Sequence, residues 1–285
     1  MKFIILLICL LLQAIFHVSI KRGKYHLLEH YASGMKPFLT KINANHGWVA
    51  LISLMLPILI LVLILNALFS HVGILYFIYA AIVLLFCLDI RDMKKQLGDY
   101  FVAITNENLV KAQIEAEQFV SHSVHQNKSE MTRAVTESIF IKALTNIFSV
   151  IFWFMLLGPF GAVLYYLATT LTKLACNPEF SYTDTYFAAE YIKELFDWLP
   201  VRVLTLTFAL IGHFGPVFTL WIDRLGAGLS DNRQLLIDAG LTALNADLEP
   251  TQASATENNQ ALSLVNRTLW TWTIVIGVLT ITSWL

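Results

Sequence analysis

Apolar segments long enough to cross a lipid bilayer recur along this chain, and they constrain its fold more than any other feature. Trp48 to Phe69 is one such segment, and Gly73 to Leu88 follows it after the short turn Ser70-His71-Val72. A helix that spans a bilayer needs about 20 mainly apolar residues. Charged residues make up only 14% of the chain, against roughly a quarter in soluble domains. The sequence therefore predicts an all-α integral membrane protein.

We expect about four to six membrane segments within a single polytopic membrane domain that covers residues 1–285. The apolar segments run over Phe3–Phe16, Trp48–Phe69, Gly73–Leu88, Asn146–Thr172, Val203–Trp221 and Thr268–Leu285. Two polar regions separate them. Residues 89–145 are predicted to be a cytoplasmic helical region, and residues 223–267 form a second polar region with a linker over 245–260.

The first polar region carries apolar residues at helical spacing. Leu109, Ala112, Ala116 and Phe119 recur in this way, and a second series, including Met131, Val135 and Ile139, follows it. Charged residues lie on the opposite faces, as in amphipathic helices. We therefore predict two cytoplasmic amphipathic helices, the first of them capped by residues 105–108.

Basic residues give an orientation in the membrane. The stretch between Val18 and Gly47 holds Lys21, Arg22, Lys24, Lys36 and Lys41 against one acid, Glu29. Short loops rich in Lys and Arg stay in the cytoplasm. The turn at 70–72 has no Lys or Arg, so we place that turn outside.

Two apolar segments are interrupted by Gly and Pro. One contains Gly158-Pro159-Phe160-Gly161, and the other contains Gly212-His213-Phe214-Gly215-Pro216. Membranes tolerate such breaks where protein or a water-filled cavity satisfies the freed backbone groups. Residues 146–172 therefore form either one tilted span or a re-entrant pair of half-helices. His213 is a candidate functional residue because ionisable groups at membrane depth are costly.

Several function classes lack support in the sequence. The net charge is −1, so no basic field points to nucleic acid as a partner. No Walker A motif, dinucleotide fingerprint or catalytic Ser/His/Asp signature is present. The pairs His26/His30 and His122/His125 lack suitable neighbouring ligands, so we predict no metal site.

The motifs FWFMLLGPFGAVLYYLATTL and FDWLPVRVLTLTFALIGH, together with the order of the elements, resemble the AmpE family. Its members are inner-membrane proteins associated with the regulation of β-lactamase induction. That family belongs to a wider superfamily with the CobD/CbiB membrane enzyme, adenosylcobinamide-phosphate synthase. For the enzyme, the resemblance implies an ATP-dependent amide ligation that joins an aminopropanol unit to a corrinoid acid. For location, it implies a multi-pass protein of the bacterial inner membrane.

The chain departs from the enzyme pattern at three places. Glu137-Ser138 is retained, but Lys142-Ala143 stands where the enzymes have Glu-Asn. Thr170-Leu171-Thr172 lacks the acid of the enzyme motif, and Lys193-Glu194 replaces a pair of Asp residues. Chemistry with Mg²⁺ and triphosphate needs clustered carboxylates. We therefore expect a retained scaffold without ligase chemistry.

The first hypothesis is thus a regulatory or sensory protein of the AmpE type, linked to β-lactamase induction and cell-wall recycling. It would be embedded in the lipid bilayer, its cytoplasmic helices would contact a partner or a small-molecule or cell-wall-derived ligand, and it could form a homo-oligomer. A CobD/CbiB-type ligase and a small transporter are the alternatives. No catalytic residue and no particular cofactor are predicted.

The predicted ligand-binding residues are Glu137, Ser138, Glu194, Asp197, Arg202 and His213. Arg202 either binds a phosphate or carboxylate of a ligand, or pairs with Asp197 or Glu194 as a helix anchor. If 146–172 is re-entrant, Glu137, Asp197 and Arg202 meet at the cytoplasmic face.

Overall fold

All regular structure in the described part of the chain is helical. The computed structural model describes residues 2–16, 27–35, 47–89, 93–175, 183–245 and 255–282. The basic residues on which the predicted orientation rests lie outside these ranges; they are Lys21, Arg22, Lys24, Lys36 and Lys41. The helices are α1 Lys2–Phe16, α2 27–35, α3 Gly47–Ser70, α4 Gly73–Cys87, α5 Met93–Gln96, α6 Gly98–Thr105, α7 Leu109–Val120, α8 Lys128–Ala143, α9 Ser149–Leu157, α10 Pro159–Ala175, α11 Thr183–Ile211, α12 Phe214–Asp223, α13 Asn232–Ala243 and α14 Ala255–Ile281.

Three of the described helices are long and apolar enough to cross a membrane. They cover Gly47–Ser70, Lys128–Leu157 and Thr256–Ile281, and shorter apolar helices cover Lys2–Gln13 and Gly73–Cys87. Their exposed surfaces suit lipid, since Ile64 of α3 and Ile274 of α14 are 58% and 64% exposed. The prediction of an all-α membrane protein is confirmed.

Two predicted boundaries were wrong. The second amphipathic helix was expected to end before the apolar segment at Asn146, but α8 continues through a π-helical turn, Leu144–Phe148, directly into α9. The predicted linker over 245–260 is shorter, because α14 begins at Ala255. The first amphipathic helix, α7, is capped as predicted, since the Asn108 side chain accepts a hydrogen bond from the Lys111 backbone at 3.0 Å.

The chain divides into two compact units. Unit 1 consists of Met1–Asp89, Ser149–Asp197 and Thr280–Leu285, and unit 2 consists of Ile90–Phe148 and Trp198–Leu279. In unit 1, α3 and α4 form a hairpin in which the Tyr79 hydroxyl donates to the Val62 carbonyl at 3.2 Å. The Gln13 amide of α1 donates to the Leu88 carbonyl at 2.9 Å. These contacts join α1 to the α3–α4 hairpin.

The predicted apolar segment over 146–172 turns at Gly158, in the part of it that belongs to unit 1. Gly158 has φ +69°, which favours glycine, and it separates α9 from α10. A Cβ at Gly161 would collide with the Trp153 carbonyl, so the start of α10 lies against α9. A single continuous helix over 146–172 is therefore excluded.

The two ends of α10 have different neighbours. At its start, a Cβ on Gly158 would lie 3.5 Å from the hydroxyl of Tyr76, near the beginning of α4. Further along, the Tyr166 ring lies 5.3 Å from the ring of Phe86, near the end of α4. Because α10 runs alongside α4 in this way, it leads from the end of unit 1 that holds the turn at 70–72 to the opposite end.

Unit 2 packs around α8. The Phe140 ring lies 5.6 Å from the Phe208 ring of α11, and a Cβ on Gly240 of α13 would collide with Phe140. Asn258 of α14 donates to the Thr132 carbonyl and to the Thr136 hydroxyl, each at 2.8 Å. Close approach through a small residue and side-chain hydrogen bonds between helices are both typical of membrane-protein cores.

Candidate functional site

A buried carboxylate lies where three helices of unit 1 meet. Asp197 of α11 is 2% exposed. Its Oδ1 accepts hydrogen bonds from the Tyr165 hydroxyl of α10 at 2.7 Å and from the Ser149 hydroxyl of α9 at 3.4 Å. Its Oδ2 accepts from Lys193 Nζ at 2.8 Å. We call Ser149, Tyr165, Lys193 and Asp197 the Asp197 cluster.

Local structure explains how this cluster forms. Lys193 and Asp197 are four residues apart, so they lie on the same face of α11. The Trp153 indole of α9 donates to the Phe196 carbonyl at 3.1 Å, and the two rings are 5.2 Å apart. These contacts fix α9 against α11 beside Asp197. A buried charge is costly unless it is paired and hydrogen-bonded, and Asp197 meets both conditions.

Glu194 neighbours this cluster along α11. Its partial burial raises the pKa of the Glu194 carboxyl, and the negative charges of Glu190 and Asp197 raise it further, while Lys193 lowers it. Acidic side chains therefore dominate the surroundings of Lys193 on α11.

Arg202 in unit 2 is 3% exposed and binds protein groups. Its Nε donates to the Leu225 carbonyl at 3.1 Å, and its Nη2 donates to the Ala227 carbonyl at 2.9 Å. Its Nη1 donates to the Trp198 carbonyl at 2.9 Å and to Asn232 Oδ1 at 3.0 Å. Four of the five N–H groups of the guanidinium are thus used.

These contacts make Arg202 the centre of a loop anchor. The guanidinium also lies 4.0 Å from the centre of the Trp198 ring. Three of the four hydrogen bonds go to residues 225–232, whereas the sequence suggested Asp197 or Glu194 as partners. The same loop is held by Arg224, whose Nη1 lies 2.9 Å from Asp238 Oδ2.

Glu137 and Ser138 lie on α8 in a second polar cluster. Ser138 is buried, and Glu137 is half-buried among the positive charges of Arg133 and Arg233 and the negative charges of Asp238 and Glu257. We call Arg133, Glu137, Arg233, Asp238 and Glu257 the Glu137 cluster.

Two buried residues were missed from the sequence, namely Glu257 of the Glu137 cluster and its neighbour Asn258. Glu257 lies 3.4 Å from Arg133 Nη1, and Asn258 is 1% exposed. Both fall in the stretch that was predicted as a linker because it is rich in Ala, Asn, Thr and Glu. The available signal was Glu257 itself, since an acid in the first turn is typical of a helix start.

His213 has a different environment from the other predicted site residues. It is exposed and precedes the first residue of α12, at the break between α11 and α12. Of the six predicted residues, Glu194 and Asp197 belong to unit 1, and Glu137, Ser138, Arg202 and His213 belong to unit 2. A common pocket for Glu137, Asp197 and Arg202 stays a prediction.

Within the described ranges, no group of three or more His, Cys, Asp and Glu side chains is arranged to hold a metal ion. Lys142, at a position where an acid was expected for ligase chemistry, donates to the Phe119 carbonyl at 2.5 Å and lies 3.6 Å from the centre of the Phe119 ring. It thereby ties α8 to α7.

Comparison with known proteins identifies the family of this helical chain. Residues 12–266 match the family described as CobD/Cbib protein. The chain belongs to the CobD/CbiB family. No solved structure matches it.

Two curated CobD/CbiB relatives are both named cobalamin biosynthesis protein CobD. The protein from Chromobacterium violaceum is 29% identical over 163 residues, which cover 51% of this chain and 52% of the relative. The protein from Stutzerimonas stutzeri is 29% identical over 206 residues, which cover 72% of this chain and 66% of the relative. The matches therefore span about half to two thirds of the length of these relatives.

These relatives correct the first functional hypothesis. The expected regulatory protein of the AmpE type, linked to β-lactamase induction, is wrong, since the matching family is CobD/CbiB and both relatives are named for cobalamin biosynthesis. The wider CobD/CbiB superfamily, which the motifs also indicated, is confirmed.

Proposed function

We propose that the chain is a membrane enzyme of cobalamin biosynthesis that joins an amine to a corrinoid carboxylic acid in an ATP-dependent amide ligation. The observation that carries this proposal is the CobD/CbiB match over residues 12–266, which includes parts of both units. Glu137-Ser138 and the motif from Asp197 to Arg202 both lie inside the matched range.

Polar groups in each unit support a reaction of this class. An amide ligation needs a group that receives an amine and groups that receive anionic carboxylates and phosphates. Asp197 offers a buried carboxylate for a cation. Arg233 is exposed beside half-buried Glu137, and an exposed guanidinium is suited to bind carboxylate or phosphate.

Arg202 is better suited to positioning than to substrate binding. Its four hydrogen bonds leave one N–H group, which is too few for the paired contacts that bind a phosphate or carboxylate. We therefore assign to Arg202 the role of holding residues 225–232, directly before α13.

We place the protein in the bacterial inner membrane with several membrane crossings. The turn at 70–72 has no Lys or Arg and is assigned to the outside by the charge rule. Because α10 leads away from the end of unit 1 that holds this turn, the end of α10 at Lys173 is assigned to the cytoplasmic side. This orientation gives the chain access to cytoplasmic ATP from that end.

A ligation assay tests the proposed function. Purified full chain in lipid nanodiscs is incubated with ATP, a corrinoid acid and 1-amino-2-propanol, and the amide product is measured by mass spectrometry. We expect product only when all three are present, and a reduced rate for Glu137→Gln. An exposed-surface variant, Lys111→Ala, is the control and keeps the wild-type rate. Corrinoid binding without ATP consumption would identify a binding protein and overturn the proposal.

A further inference from the structure

We propose that the Asp197 cluster is a binding site for a small primary amine, and that the ammonium group of Lys193 occupies this site in the structure. The inference deepens the proposed function and rests on it for the identity of the amine. It starts from the two oxygens of Asp197, which have different partners. Oδ1 receives the Tyr165 and Ser149 hydroxyls, and Oδ2 receives Lys193 Nζ.

The hydroxyl side of the cluster is fixed by the protein core. Tyr165 and Ser149 are both 0% exposed, and they come from α10 and α9. Neither is charged, so they stabilise the carboxylate without neutralising it. The cation at Oδ2 is therefore the component that makes burial of this charge tolerable.

That cation comes from a side chain that reaches in from the surface. The Lys193 side chain is 28% exposed, whereas the Asp197 side chain is 3% exposed. A lysine ammonium is a compact charge with three N–H donors on a flexible four-carbon stem. Removing the stem would open the Oδ2 side of Asp197 towards the surface and leave a buried carboxylate that needs a cation.

The geometry favours a primary ammonium as the replacement. Such a group has the charge, the size and the donors of Lys193 Nζ, which lies 2.8 Å from Oδ2. A divalent metal is disfavoured because the described residues hold no cluster of three or more metal-ligating side chains. In an amide ligation the amine is a substrate, so a small amino alcohol fits both the site and the proposed reaction.

Lys193 also competes with any free amine. A group tethered next to its site has an effective concentration in the millimolar range or above. An external amine must displace it, so the wild-type site binds amines weakly. The Lys193 side chain thus limits access to Asp197.

The test measures amine binding by the full chain in nanodiscs. Calorimetry with 1-amino-2-propanol is expected to give at least about tenfold tighter binding for Lys193→Ala than for the wild type. The double variant Lys193→Ala/Asp197→Asn loses the gain, because the charge that attracts the ammonium is gone. Lys111→Ala, on the exposed face of α7, behaves as the wild type.

A thermal-stability measurement gives a second readout. Lys193→Ala is expected to melt below the wild type and to recover with 1-amino-2-propanol, but not with 1,2-propanediol, which lacks the amine. If Lys193→Ala does not fold, Lys193→Gln keeps a neutral donor and is measured in the same way. Equal binding by wild type and variant, or equal recovery with the diol, overturns the proposal. Absence of ligation by the wild type leaves this binding comparison intact, so the two failures are distinguishable.

Discussion

Replacing Arg202 by methionine tests whether this residue anchors the loop before α13. Methionine keeps an apolar side chain of similar length but removes the four hydrogen bonds and the contact with the Trp198 ring. We therefore expect the variant to fold with lower stability. The individual contacts of Arg202 contribute different amounts to this loss of stability.

The magnitude follows from which acceptors water can reach. Leu225 is 42% exposed and Asn232 is 4% exposed, so the hydrogen bond from the guanidinium to Asn232 Oδ1 is the better shielded from water. Loss of a hydrogen bond from a charged donor costs about 1.5–3 kcal/mol, and loss of a cation–π contact costs about 0.5–2 kcal/mol. Arg202→Met should therefore lower the free energy of unfolding by about 2–5 kcal/mol.

Reversible unfolding by SDS in mixed micelles, followed by circular dichroism, measures this change. Exposed Lys111→Met is the control, and a change within about 0.5 kcal/mol is expected. Asn232→Leu combined with Arg202→Met should cost less than the sum of the two single variants, since both remove the same hydrogen bond. A loss below about 1 kcal/mol for Arg202→Met, or strict additivity, would refute the anchoring role.

Three further predictions concern other parts of the chain. Asn258→Leu removes two hydrogen bonds to α8 and should lower the free energy of unfolding by about 1–3 kcal/mol. The exposed control Asn259→Leu should have little effect, and similar losses for the two variants would contradict the anchoring by Asn258. The raised pKa of Glu194 means that its charged form is disfavoured in the folded state, so its contribution to stability is lost as pH rises through that pKa. Glu194→Gln should therefore raise the melting temperature at neutral pH but not at acidic pH, and an equal shift at both would count against this assignment. Single cysteines at Ser70 and Lys173, both exposed, should react with an impermeant thiol reagent from opposite sides of the membrane, and labelling from one side would disprove the proposed orientation.

Structural features that depend on local backbone hydrogen bonding could be predicted from the sequence. A membrane helix makes its backbone hydrogen bonds within one segment, so an apolar run by itself specifies α3 and α4. The break at Gly158 was equally readable, because only glycine readily adopts its positive φ before Pro159. The cap of α7 was expected within residues 105–108, and the structure identifies Asn108, because capping depends on residues three positions apart.

The choice between two related families was harder to make from motifs. The motif from Asp197 to Arg202 suggested both an AmpE-type protein and a CobD/CbiB enzyme, and the missing acids favoured the wrong one. Substitutions such as Lys142 and Lys193 were judged by the acids they replaced. In the structure each lysine has a specific partner, Phe119 and Asp197 respectively.

The sequence by itself determined that the chain is helical and that its apolar segments break at Gly158 and near His213, because those properties depend on neighbouring residues. Only the tertiary structure decided what the polar residues contact. Asp197 meets Tyr165 from a helix more than thirty positions earlier, and Asn258 meets Thr132 across a still longer separation. Apolar periodicity cannot foresee such pairs, since core-facing and lipid-facing positions are both apolar, and the partner of a buried charge is selected by how the helices pack.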